Sequence, residues 1–155
     1  MTETAHKSEV ETSDTATRER TAEQAAERAT QRVTPYDMIG GEDVLRRVVD
    51  RFYEIMDTEP EAAAIRAMHG NDLGPVRDKL FDFLSGWLGG PPLYMKRTGS
   101  VCLGHAHAPF AIGEAERDAW LMCMRRALED EGVAEDVREL LDRPLFMIAD
   151  FIRNR

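Results

Sequence analysis

Four side chains that could hold a small ligand occur at separated points of this 155-residue chain. His107 stands two residues before Pro109, and proline disfavours the α conformation of the residue that precedes it. We therefore predict that this histidine lies in the last turn of a short helix or at a bend, and that His69 lies near a second helix boundary. Tyr53 offers a phenolic O–H and Trp120 an indole N–H. Taken singly, each of the four is more commonly an ordinary core or surface residue.

Taken together, these groups are the set that a haem pocket requires. A neutral imidazole binds one face of the iron, and hydrogen-bond donors on the other face stabilise the partial negative charge of a bound ligand such as dioxygen. The walls around such a macrocycle must be apolar, and the chain offers large apolar residues for them: Phe83, Leu84, Trp87 and Phe110. Other common sites are excluded by their motifs, since GxxxxGK, GxGxxG, HExxH and GxSxG are all missing.

The composition limits which binding partners and which cellular location we expect. The formal net charge is -9, which argues against a nucleic acid or an anionic membrane surface as partner. Cys102 and Cys123 are the only cysteines, and their spacing fits neither a disulfide framework nor a zinc site. The first residues have no apolar leader region, and the most apolar stretch is interrupted by Asp82 and by the glycines and prolines of 89–92. We therefore expect a cytoplasmic protein with no membrane-spanning segment.

The chain is predicted to have one polar extension and one folded domain. Residues 1–34 contain no Phe, Tyr, Trp, Leu or Ile, so they cannot bury enough apolar surface to offset the entropy of ordering. This extension is predicted to be disordered or partly helical, because Arg18 to Gln31 is rich in good helix formers. Residues 35–155 are predicted to form the domain.

Hydrophobic periodicity in the domain predicts an all-α fold of about four main helices. A first helix runs from about Glu42 to Thr58, and two later ones cover about 114–129 and 134–152. The helix after Pro75 is apolar over more than one stripe, so it must be buried on two sides or face a large apolar ligand. Pro144 predicts a kink or a break near Asp142 and Arg143 in the last helix.

Four separated motifs resemble those of the group II truncated haemoglobins, and they occur in the family's order from Pro35 to the end of the chain. They are YDMIGG (36–41), VDRFYEIMD (49–57), KLFDFLSGWLGGPPLY (79–94) and HAPFAIGEAERDAWLMCMRRAL (107–128). The resemblance implies a truncated globin, in which a two-over-two helical sandwich surrounds protohaem IX, or haem b.

The resemblance also implies a role for each candidate residue. On the family's pattern, His107 is the proximal iron ligand, and Tyr53 and Trp120 are the distal donors that stabilise the bound ligand. His69 matches the variable polar or aromatic residue of the distal side. The remaining positions match residues around the cofactor, with Val76 at the distal entrance: Val76, Leu80, Phe83, Leu84, Trp87, Tyr94 and Phe110.

The chain departs from the family just before the proximal histidine. Similar proteins carry a Gly-His-Pro-Arg-Leu-Arg-x-Arg run there, whereas this chain has GSVCLGHA over 99–106. The arginines expected to pair with the haem propionates are therefore missing, and Lys96, Arg97 or His105 could substitute for them. His105 also competes with His107 for the iron, but side chains two residues apart on a helix point to opposite sides, and the HAPF context favours His107.

The resulting prediction is a haem protein that reversibly binds dioxygen, nitric oxide, carbon monoxide or a similar small ligand, as a monomer or a homodimer. Strong hydrogen-bond donation from Tyr53 and Trp120 suits a protein that retains its ligand better than one that delivers dioxygen. One alternative is an enzyme on the same fold, a nitric oxide dioxygenase or a peroxidase, which would need an external reductase because the sequence shows no flavin or nicotinamide domain. A second alternative is a helical interaction module that has lost its haem.

Overall fold

The computed structural model describes residues 32–155. Every regular secondary-structure element in that range is helical. The helices are α1 (Pro35–Ile39), α2 (Gly41–Thr58), α3 (Ala63–Ala67), α4 (Gly74–Trp87), α5 (Leu93–Thr98), α6 (Leu103–His107), α7 (Glu114–Asp130) and α8 (Glu135–Phe151), with a 3₁₀ turn at Pro60–Ala62. The prediction of an all-α fold with four main helices is confirmed, since α2, α4, α7 and α8 are the long ones. The predicted helix at 18–31 lies outside the described residues, and the boundary at residue 34 stays a prediction.

The four long helices form two packed pairs. Helix α2 packs on α4 and α7 packs on α8, while α2 and α7 make the main contact between the pairs. The apolar face of α2 predicted from its periodicity is buried in this core: Leu45, Val48, Val49, Phe52, Tyr53 and Met56. The result is a two-over-two helical sandwich, with the short helices α5 and α6 between the pairs along the chain.

A tight reversal at Gly40 joins α1 to α2. Thr34 and Asp37 form a capping box at the start of α1, and the carbonyls of Tyr36 and Asp37 accept hydrogen bonds from the Gly40 N–H at its end. Gly40 has φ 110°, in the left-handed region that side-chain-bearing residues rarely adopt. A Cβ at this position would meet Val44 Cγ2 at 2.5 Å.

We expect Gly40→Ala to lower the free energy of unfolding by about 1–3 kcal/mol, because it adds both backbone strain and this clash. Urea denaturation of the purified variant measures the change. Gly70→Ala is the matched control, since a Cβ there meets no heavy atom within 4 Å and its φ is not positive. Equal unfolding midpoints for the two variants would contradict the role assigned to Gly40.

The sequence predicted a kink or a break near Pro144, and of these two the break is wrong, because α8 continues through this residue to Phe151. The proline ring is exposed, while Leu141 and Leu145 on either side of it are buried in the core. Packing of these neighbours therefore holds the helix together despite the hydrogen bond that a proline cannot donate.

Candidate functional site

Helix α4 presents two different apolar faces. Phe81, Leu84 and Leu88 are buried in the core between the helix pairs. A second stripe, at steps of three and four residues, is only half-buried: Val76, Leu80, Phe83 and Trp87. Part of each of these side chains is therefore left uncovered by the core, which agrees with the second of the two predicted alternatives, a face for a large apolar ligand. Leu84, also predicted to contact the ligand, lies on the core side of the stripe.

Aromatic contacts bring the predicted distal residues together. The Tyr53 ring is buried on α2, and its centroid lies 5.8 Å from that of His69 in an edge-on arrangement. Phe52 lies between the two donors, with its centroid 4.9 Å from that of Tyr53 and 5.4 Å from that of Trp120. Sequence reasoning had assigned Phe52 only to the apolar face of α2. The available signal was its place among the apolar residues that recur every three or four positions along α2.

The loop that carries His69 is held by its own hydrogen bonds. His69 Nδ1 lies 2.7 Å from the Ile65 carbonyl oxygen, which can only accept, so Nδ1 carries the proton. Arg66 donates to the Gly70 carbonyl at 3.1 Å and pairs with Asp57 at 2.7 Å. The imidazole of His69 is therefore oriented by the turn that contains it.

The Tyr53 hydroxyl sits in a setting that keeps it protonated. Burial raises the pKa of Tyr53 well above the ordinary tyrosine value, and the nearby Arg77 guanidinium opposes this in part. Arg77 Cζ lies 5.9 Å from the Tyr53 ring centroid, and Arg77 is held by an ion pair with Asp50 at 3.2 Å. The phenol is therefore a neutral hydrogen-bond donor over the whole physiological pH range. Arg77 was not among the residues singled out from the sequence.

We expect Tyr53 to show no ionisation at pH 10, where an unperturbed tyrosine is about half ionised. Its pKa is raised, so the neutral form persists through this pH and the hydroxyl remains a donor. The measurement is ¹³C NMR of tyrosine-labelled protein in the ferrous CO form, with Tyr53→Phe to assign the resonance. A Tyr53 resonance that titrates near pH 10 would contradict the burial of this hydroxyl.

His107 is the last residue of α6, at the helix end that the sequence predicted. Its Nδ1 lies 2.7 Å from the Leu103 carbonyl oxygen, so the proton is on Nδ1 and Nε2 has a free lone pair. An imidazole oriented in this way through its other nitrogen is a typical metal ligand. His105, two residues earlier in the same helix, is in contrast exposed.

Tyr94 extends the half-buried wall of α4, and Phe110 lies close to His107 in the sequence. The Tyr94 ring of α5 lies edge-on to Phe83, with centroids 6.2 Å apart. Phe110, three residues after His107, is 38% exposed. Phe110 is therefore another large apolar side chain near the histidine that the protein's own core does not cover.

Of the three residues that could replace the missing arginines, Lys96 and Arg97 differ in their surroundings. Arg97 Nη2 lies 2.6 Å from the Oδ2 of Asp82, a buried carboxylate on α4. Asp82 is two residues after Leu80 and one before Phe83, spacings that place it on another face of the helix from the half-buried stripe. The charge of Arg97 is thus already balanced, which argues against its pairing with a propionate. Lys96 is exposed on the same short helix, and its role stays a prediction.

These features fit a haem. The macrocycle needs one neutral imidazole nitrogen and extended apolar walls, and this chain supplies His107 Nε2 and the half-buried stripe of α4. A helical sandwich with such a site defines the class of protein as a globin.

Comparison with known proteins identifies the family. The model of the bacterial-like globins matches residues 34–154, so the chain belongs to that family, and its relatives include group II truncated haemoglobins. The group 2 truncated hemoglobin YjbI of Bacillus subtilis is 36% identical over 78% of this chain and 89% of its own length. The group II 2-on-2 hemoglobin of Agrobacterium tumefaciens has a TM-score of 0.76 and 42% identity over 81% of this chain and 97% of that one.

A solved structure from Bacillus subtilis is also similar to this chain. The truncated oxygen-avid haemoglobin of Bacillus subtilis has a TM-score of 0.71 and is 36% identical, over 78% of this chain and 99% of that one. Family membership establishes this protein as a haem globin that binds small gaseous ligands. None of the helices within residues 32–155 combines the length and the apolar character needed to cross a bilayer.

Proposed function

We propose that this protein reversibly binds dioxygen, nitric oxide, carbon monoxide or similar diatomic ligands at the iron of haem b, with His107 as the proximal ligand. When bound, the haem supplies the iron centre that takes up the gas. The observation that carries the proposal is the hydrogen bond from His107 Nδ1 to the Leu103 carbonyl at 2.7 Å. It leaves Nε2 as the ligating nitrogen and fixes the plane of the ring.

The distal donors determine how long a ligand stays. Tyr53, kept neutral by burial, and Trp120 would donate hydrogen bonds to the bound ligand and stabilise its partial negative charge. Stronger donation lowers the dissociation rate, so these residues favour retention over delivery. The similar Bacillus subtilis haemoglobin is described as oxygen-avid, which supports the same assignment.

Absorption spectra of the purified full-length chain test this function directly. The ferric, ferrous and CO forms should each show a Soret band, and the ferrous form should be five-coordinate. A protein with no Soret absorption, even after haem is offered, would instead support the haemless interaction module. Oxidation of nitric oxide or a peroxidase cycle would appear as turnover with an external reductase. A cytoplasmic location and a monomeric or homodimeric state remain part of the proposal.

A further inference from the structure

The side chain of Asn154, which is distant in sequence, forms hydrogen bonds with the segment that follows His107. Its Oδ1 accepts a hydrogen bond from the Ile112 N–H at 3.0 Å. Its Nδ2 donates to the carbonyl oxygens of Phe110 at 2.8 Å and of His107 at 3.4 Å. The backbone N–H groups of Asn154 and Arg155 both donate to the Ile112 carbonyl, at 2.9 and 3.1 Å. A single amide thus contacts the start, the middle and the end of residues 107–112.

These contacts matter because the segment has little other support. Residues 108–113 lie between α6 and α7 with no helix of their own, and only Ile112 among them is buried. Within the segment, the Phe110 N–H donates to the His107 carbonyl at 3.0 Å. The Asn154 amide therefore supplies much of the hydrogen bonding that determines the path of the chain after the histidine.

Asn154 is itself anchored to the body of the domain. Asp150, near the end of α8, accepts hydrogen bonds from Arg117 of α7 and from Arg153, each at 2.7 Å. The two guanidinium groups hold the pKa of Asp150 below its ordinary value, so this carboxylate is ionised and paired at neutral pH. Arg153, the residue before Asn154, is thus connected through Asp150 to both α7 and α8.

We propose that Asn154 is a positioning residue for the proximal ligand, which holds residues 107–112 in place and thereby sets the direction of the His107 imidazole. This inference rests on the proposed function, because it concerns the histidine that binds the haem iron. An asparagine is suited to the role because the same side chain must accept from one backbone group and donate to two others. An aspartate side chain could accept the hydrogen bond from Ile112 but could not donate to the carbonyl oxygens of His107 and Phe110.

The test compares Asn154→Ala, Asn154→Asp and the control Arg155→Ala in the full-length, haem-loaded protein. Arg155→Ala truncates the neighbouring side chain but keeps the backbone hydrogen bond to Ile112. The first readout is the iron–histidine stretching band of the ferrous form in resonance Raman spectra, which reports the orientation of the proximal imidazole. The second is the rate of haem transfer to an excess of a haem-scavenging globin. The third is hydrogen exchange of the Ile112 amide in the same haem-loaded protein.

We expect both Asn154 variants to shift or broaden the iron–histidine band and to lose haem roughly tenfold faster, as expected for loss of one or two hydrogen bonds. Exchange at Ile112 should accelerate in Asn154→Ala but not in Asn154→Asp, which keeps the acceptor. Arg155→Ala should match the wild type in all three readouts. A thermal unfolding curve for each variant separates these local effects from a loss of overall stability.

The outcomes separate this inference from the proposed function. An unchanged band and an unchanged rate of haem loss in both Asn154 variants would overturn the positioning role while leaving the haem function intact. A wild-type protein that takes up no haem would overturn the proposed function and, with it, this inference. If Asn154→Ala fails to fold, Asn154→Asp still provides the decisive comparison, because it retains the bond to Ile112.

Discussion

His107→Gly should lose stable haem binding, and added imidazole should restore it. The variant removes the imidazole proposed to ligate the iron, which is oriented by the Leu103 carbonyl at 2.7 Å. Removal of a residue that only hydrogen-bonds to a metal ligand typically costs about 10–100-fold in metal affinity, so loss of the ligand itself should exceed this range. Free imidazole can enter the space left by the side chain and supply the same nitrogen. Haem transfer to a scavenging globin and the Soret spectrum measure both effects.

His105→Gly is the matched control for this experiment. It removes an imidazole from the same short helix, two residues earlier, where the side chain is exposed. We expect its ferrous spectrum and iron–histidine band to match those of the wild type. If His105→Gly loses haem and His107→Gly does not, the assignment of the proximal ligand is reversed. A moderate increase in haem loss with an unchanged iron–histidine band would instead assign His105 to a propionate, the role left open by the missing arginines.

The second large effect is expected from the distal donors. Tyr53→Phe and Trp120→Phe should each accelerate dioxygen dissociation by roughly 10–100-fold, since a hydrogen bond to a charged group contributes about 1.5–3 kcal/mol. Tyr53→Phe is the cleaner variant, because it removes only the hydroxyl from a ring that is already well packed against Phe52. Stopped-flow displacement of dioxygen by carbon monoxide measures the rates.

Two comparisons make this experiment specific. Tyr94→Phe removes a hydroxyl from a ring that packs on Phe83 instead, so it should leave the dioxygen rate unchanged. Carbon monoxide carries less charge when bound, so its dissociation should respond much less to the loss of a donor. Dioxygen rates that stay at the wild-type value in both Tyr53→Phe and Trp120→Phe would contradict the donor roles.

The double variant tests whether the two donors act together. Phe52 contacts both rings, so removal of one donor can alter the position of the other. Residues that share a partner in this way are often non-additive. We therefore expect the combined effect of the two substitutions to differ from the product of their separate effects.

Much of this protein was predictable from short stretches of its sequence. The periodicity of Leu45 to Met56 identifies α2 and its buried face, and Pro109 locates the end of the helix that carries His107. The two-striped pattern after Pro75 predicts both the core face of α4 and its half-buried wall. These features depend on residues three to eight positions apart, for which helical geometry alone determines which side chains share a face.

Other features were decided only by the tertiary structure, because they join residues far apart in the sequence. Arg97 was predicted to be available for a propionate, but folding places it against the buried Asp82. The packing of Leu141 and Leu145 keeps α8 continuous through Pro144, against the local preference of proline. Local patterns carry no information about such partners, since each depends on how separate helices are brought together.

The proximal histidine shows this division most clearly. The residue type, the following proline and the resemblance of its surroundings identified His107 from the sequence alone. The path of the chain beyond it depends on Asn154, 47 residues later, which packing of α8 against α7 brings within hydrogen-bond distance. The sequence thus predicts which side chain is to bind the iron, and the contacts around that side chain follow only from the packing of helices that are far apart in the sequence.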